Sequence, residues 1–170
     1  SLPKCLHVVA IRTGDVICEL SHLSKGRLAL TSDGRGLVHG EANKLQLYTT
    51  ADGKRLGEIT IPGEKNKYLR DMRLLPGNRS AVVRFDEAVL HVDLAQMKVM
   101  RTYEFGDFKA DRISFTCVSP NGKRLAVAAT ANGNYHSILL DTASGEVLEH
   151  LKAVRPLGFL SDSELLFGNP

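Results

Sequence analysis

The side chains able to do chemistry are scattered along this sequence rather than gathered into a motif. Its six histidines are His7, His22, His39, His91, His136 and His150, and no two stand at the spacing of a metal-binding helix face. Its three cysteines, Cys5, Cys18 and Cys117, are an odd number without a Cys-x-x-Cys pair. A disulfide framework needs more of them, so the expectation is a reducing, cytoplasmic setting. The nearest approach to a metal centre is Cys5, His7 and His22, because folding the first hairpin about Thr13-Gly14 brings Cys5 towards His22. A structural zinc site takes four ligands, no fourth is evident, and no metal is expected. The same hairpin sets Cys18 opposite Val9, which gives Cys5 no disulfide partner. "TSDGRG" has two glycines but lacks the lysine-serine ending and the following helix of a phosphate loop. Asp86-Glu87 reads as a solvated turn. No catalytic residue, no cofactor and no enzymatic activity are expected.

The bulk properties exclude further classes. The 170 residues are 43% hydrophobic and 24% charged, which suits one globular domain. The net charge of +3 and pI near 8.8 are mildly basic. Nucleic-acid binders concentrate far more charge, so the balance does not favour a nucleic-acid partner. No apolar run approaches the roughly 18 residues of a membrane helix, and no membrane partner is expected. The start, "SLPKCLHVVAI", has no cleavage-site pattern of a signal peptide.

What positions these residues is a repeat. Turn pairs precede short apolar runs at Asp33-Gly34, Gly77-Asn78, Asn121-Gly122 and Asp162-Ser163. Their second members stand at 34, 78, 122 and 163, so the steps are 44, 44 and 41. Glycine, asparagine and aspartate tolerate the left-handed backbone of tight turns. A second series is anchored on Gly14, Gly53, Met97 and Gly145, and six positions later come Leu20, Ile59, Tyr103 and Leu151. Each unit then reads as four strands, most plainly at 113–118, 124–130, 136–142 and 146–151. The second of these is apolar on both alternating sets, with Leu125, Val127 and Ala129 facing one way and Ala126 and Ala128 the other. A strand needs that only when both faces of its sheet are covered. The fourth carries Glu146, Glu149 and His150, as a wet outer edge does. Small sheets stacked around an axis in this way make an all-β propeller of four-stranded antiparallel blades.

The stretch "CVSPNGKRLAVAATANGNYHSILLDTASGEVLEHL" resembles a WD40-type or YVTN-type propeller repeat. The family's turn cassette falls on Ser119-Pro120-Asn121-Gly122, its small-apolar strand on Leu125–Ala129, its strand-ending aspartate on Asp141, and its threonine-x-x-glycine on Thr142 to Gly145. Gly34, Gly53, Asn78, Gly122, Asp141 and Gly145 are the matching structural turn positions. The chain has no tryptophan, hence no tryptophan-aspartate dipeptide. The resemblance implies a non-catalytic scaffold for protein–protein interaction, of the kind appended to larger signalling or assembly proteins, including NACHT-type NTPases.

The repeat divides the chain into an outer half-blade at 5–24, blades at 27–60, 68–105 and 112–152, and an inner half-blade at 155–168. Two arrangements fit the ends. The halves complete one blade and close a ring of four, or the remaining blades of a longer propeller stand between them. The loops leading from one blade to the next, "SHLSKGR", "TIPGEKNKYLRD", "FGDFKADR" and "KAVRP", emerge on one rim and all hold basic residues. The expected partner-binding residues are Lys65, Lys67, Tyr68, Arg70, Phe108, Lys109, Arg112 and Arg155, since arginines and aromatics in a polar rim are the stuff of interface hot spots. Nucleic-acid binding through the same rim is the alternative, and an axial-site metalloprotein or enzyme the second.

Overall fold

The computed structural model describes residues 5–21, 23, 25–61 and 68–168. Lys65, Lys67 and His22, singled out above, lie outside the described residues. Within them there are sixteen strands and no helix. The hairpin of β1 (Leu6–Val9) and β2 (Val16–Leu20) comes first. Three four-stranded antiparallel sheets follow in chain order. They are β3 (Arg27–Leu30), β4 (Gly36–Glu41), β5 (Lys44–Thr49) and β6 (Arg55–Thr60); β7 (Asp71–Leu74), β8 (Ser80–Arg84), β9 (Val89–Asp93) and β10 (Lys98–Thr102); and β11 (Arg112–Val118), β12 (Arg124–Ala131), β13 (Asn134–Asp141) and β14 (Val147–Lys152). A second hairpin, β15 (Arg155–Phe159) with β16 (Leu165–Gly168), ends the series. The two hairpins are separate sheets and do not pair with each other. Among the described residues the shared blade that a closed ring of four requires is not formed by these hairpins.

The stacking follows from strand alternation. In β8, Ala81 and Val83 pack with Val38 and Leu45 of the preceding blade. Val82, between them, packs with Ile113, Leu125 and Val127 of the next. One short strand thus serves two cores, which is why its three central residues, Ala81, Val82 and Val83, are all apolar. In β12, Leu125 through Ala129 are each no more than 1% exposed. The first strands of successive blades touch one another, β3 against β7, β7 against β11 and β11 against β15, so they are the inner strands around the axis.

The turn cassette has a hydrogen-bonding reason. Ser119 Oγ donates to Asn121 Oδ1 (2.8 Å) and accepts the Arg124 N–H (3.0 Å), while Asn121 Oδ1 also accepts from Lys123 N. Thr31 and Asp33 repeat the arrangement, with Thr31 Oγ1 donating to Asp33 Oδ1 (2.6 Å) and accepting from Gly36 N (2.7 Å). Leu75 holds that position in the middle blade, so the hydroxyl bracket is missing there. Asn78 compensates across blades, accepting from Ser32 N and donating to Ser32 Oγ, both at 2.9 Å. It does so from a left-handed backbone, φ 58°.

The six-residue register marks the contact between blades. Leu20 is buried where a Cβ on Gly53, in the next blade, would come within 3.0 Å of it. Tyr103 is buried and its hydroxyl donates to the Thr142 carbonyl of the next blade (2.8 Å). Met97 replaces the turn glycine, holds φ 48°, and lays its side chain against Gly57. Leu151, on the last complete blade, is only half-buried.

Candidate interaction surface

Strand direction sorts the loops onto two rims. On one lie the hairpins between second and third strands and the connections between blades, laced together by Ile61 N to Asn43 O, Leu69 N to Ala42 O and Asp111 N to Thr130 O. On the other lie the turn cassettes. An arginine stands at the first rim on each inner strand or directly before it. Arg27 is opposite Gly40, Arg112 opposite Thr130 and Arg155 opposite Gly168, each near the end of its partner strand. Arg70 directly precedes β7, whose first residue, Asp71, is opposite Arg84. The positions 27, 70, 112 and 155 step by 43, 42 and 43, a third register in the repeat.

These charges interact. Arg70 forms a two-pronged pair with Asp86, Nε to Oδ1 at 2.9 Å and Nη2 to Oδ2 at 2.7 Å. That hydrogen bonding raises the Arg70 pKa and holds the Asp86 carboxyl below its ordinary range, with Arg112 and Arg84 adding to the second effect. Asp86 thus lies in the β8–β9 turn, as its sequence context suggests, and there anchors the blade connection through Arg70. Arg84 is half-buried, and burial lowers its pKa. It donates Nη1 to the Ile113 carbonyl (2.8 Å), while its buried Nε has no hydrogen-bond partner among the described residues. Arg155 stands over the Phe115 ring, 5.9 Å from its centroid. Arg112 and Arg84 thus add positive charge around Asp86, while Asp71 pairs within its own strand with Arg73, Nε to Oδ2 at 3.2 Å. The hairpins and connections of this rim carry further acids, among them Glu87 and Asp107. Glu41 ends β4, and Asp111 accepts the N–H of Asn132 at a hairpin tip.

The expected aromatics separate. Tyr68 is 65% exposed beside Arg70. Phe108 is half-buried, its ring 4.3 Å from His136 and 5.3 Å from His150. Those histidines bond to each other, Nδ1 to Nε2 at 2.9 Å, and burial with the His150 and Lys152 charges lowers the His136 pKa. Phe108 is accordingly a packing residue of the blade connection more than a free contact. Lys109, Arg112 and Arg155 are exposed. The structure places Arg70, Arg112 and Arg155 on one rim and adds Arg27, whose steps of 42 to 43 residues with the others were the signal available, and Arg84. Arg84 carries no such signal, since only strand pairing sets it opposite Asp71.

Elsewhere, His39 bonds to the Lys25 carbonyl and to Gln46 Oε1, a strut under the rim. Burial pushes the Cys117 thiol up to about 11, which keeps it protonated and unreactive. In the first hairpin, Cys18 is opposite Val8 rather than Val9, because a register shift follows Val8.

No protein-family description matches the chain, and no curated protein matches it in sequence. Its fold has counterparts among solved structures. The chain is similar to the Dos1 propeller, at 13% identity and a TM-score of 0.71 over 98% of its own length and 47% of that chain. It is also similar to the hydrazine synthase of Kuenenia stuttgartiensis, at 20% identity and a TM-score of 0.64 over 90% and 45%. The architecture is that of a β-propeller. The chain spans less than half the length of either structure.

Proposed function

We propose that this chain is a non-catalytic protein–protein interaction scaffold, a WD-repeat-like module of a larger cytoplasmic signalling or assembly protein. Its rim of inner-strand arginines holds an acidic segment of a protein partner. The observation that carries this reading is the arginine that recurs at the rim end of four successive inner strands, on the strand at Arg27, Arg112 and Arg155 and directly before it at Arg70. Guanidinium groups pair with carboxylates in a fixed two-pronged geometry, and a rigid stack of sheets holds them at constant spacing. The reverse faces of the end blades carry a second kind of contact. Leu139, Leu151, Phe159, Leu165 and Phe167 line a groove between β13–β14 and the last hairpin. The two strands that would complete that hairpin into a blade cover such a groove, so the remaining blades of a longer propeller are its proposed partners.

The rim is tested with a fluorescent oligoglutamate peptide and the purified chain. Binding is expected to weaken about tenfold or more, 1.4 kcal/mol per decade, in Arg112→Glu and Arg155→Glu. Lys123→Glu, on the opposite rim, leaves it unchanged. Equal loss in all three, or no binding, overturns the rim assignment. A single-stranded oligonucleotide bound more tightly, with the steep salt dependence of several phosphate contacts, replaces the protein partner with nucleic acid.

A further inference from the structure

We infer that the outward face of the first hairpin is a zinc-type metal site formed by Cys5, His7 and Glu19. The hairpin register pairs Leu6 with Leu20 and His7 with Glu19. Leu20 is buried and Leu6 packs against the same core, so alternation turns His7 and Glu19 to the opposite face. Cys5 lies two residues before His7 and shares its side. The thiol sulfur, an imidazole nitrogen and a carboxylate oxygen all lie within 4.8 Å of one another. His7 Nε2 is 3.7 Å from Glu19 Oε2. Ligands about 2.0–2.3 Å from a tetrahedral ion stand about 3.4 Å apart, so small side-chain rotations close the site.

The donor set selects the ion. One thiolate, one imidazole and one carboxylate suit zinc, and its spectroscopic substitute cobalt(II), over magnesium or calcium, which take oxygen ligands. On binding, the sulfur coordinates as thiolate and its proton passes to solvent. Three protein ligands leave a fourth position for water or for a side chain of whatever packs on this face. Of the cluster Cys5, His7 and His22 that the sequence suggested, from which no metal was expected, His22 lies outside the described residues, and the cross-strand pairing brings in Glu19.

The test is titration of the purified chain with cobalt(II), read by absorption. A sulfur-to-cobalt charge-transfer band with tetrahedral ligand-field bands is expected, saturating at one ion per chain and displaced by zinc. Cys5→Ser removes the charge-transfer band, whereas Cys18→Ser and Cys117→Ser keep it. His7→Ala and Glu19→Gln each weaken zinc binding by at least about tenfold, the low end of what even outer-shell changes produce. Unchanged circular dichroism in each variant separates ligand loss from misfolding, and the exposure of His7 and Glu19, with Cys5 only part-buried, makes that outcome expected. No charge-transfer band in the wild-type chain, or a band that survives Cys5→Ser, overturns the site.

Discussion

The middle blade and the first hairpin are built from the same alternating strands and have opposite surfaces. In β8 and β9, Ala81, Val82, Val83, Val89 and Val92 are all buried, because a blade stands on each side. In β1 and β2, Val9, Val16 and Ile17 are exposed, because only one side is covered. The last hairpin repeats the pattern with Leu157 and Leu166 exposed. A blade is thus not a folding unit by itself. Its second core belongs to its neighbour, as in other stacked-repeat proteins.

The largest break in that comparison is a charge placed between blades. Val82→Asp puts a carboxylate where neither face has water, and it is expected to abolish cooperative unfolding, at a cost of several kcal/mol. Ile17→Asp, on the uncovered face, is expected to stay within about 0.5 kcal/mol of wild type. Thermal melts of the two variants make the check. If Ile17→Asp were as damaging, that face would be covered in solution.

Turn glycines sharpen the same contrast. Gly122 has φ 75°, and a Cβ there would lie 2.6 Å from Pro76 Cδ of the preceding blade. Gly14 has φ 78° with nothing within 4 Å. Gly122→Val is expected to cost about 3 kcal/mol, strain plus clash, and Gly14→Val only the strain, about 1–2 kcal/mol. Denaturant midpoints measure both. Tyr103→Phe follows, with the Thr142 carbonyl losing its buried donor, at about 1–2 kcal/mol.

The smallest effect is electrostatic. The Asp86 carboxyl has a folded-state pKa below its ordinary 3.8. Its contribution to stability is therefore complete above that ordinary value and is lost as the pH falls through the folded one. The pair is partly exposed, so its worth is under about 1 kcal/mol. The melting difference between wild type and Asp86→Asn should be present at neutral pH and vanish in strong acid. A difference that grows on acidification would contradict the pairing.

Much of the blade was legible in the sequence because its signals are local. Turn residues with left-handed backbone, a hydroxyl two positions before an Asx side chain, and strands apolar on both faces all act within a few residues. The residue six positions after each turn anchor was also visible, although its reason, burial against the next blade's turn, was not. The charged groups were harder to read. Asp86 looked like a solvated turn because its partner, Arg70, is sixteen residues away, and Arg84 faces the rim only through its register with Asp71. Phe108 read as a free contact because its histidine neighbours come from two other strands. Such pairings are set by tertiary register, and the spacing of like residues records only the part that repeats.

The most direct test of the arginine rim is amide chemical-shift mapping of the chain with an oligoglutamate peptide. Shifts clustered at Arg27, Arg70, Arg84, Arg112 and Arg155, and absent from the turn cassettes at Gly34, Asn78 and Gly122, are the predicted result. Shifts on the cassette rim, or none at concentrations where the peptide is in large excess, would contradict it.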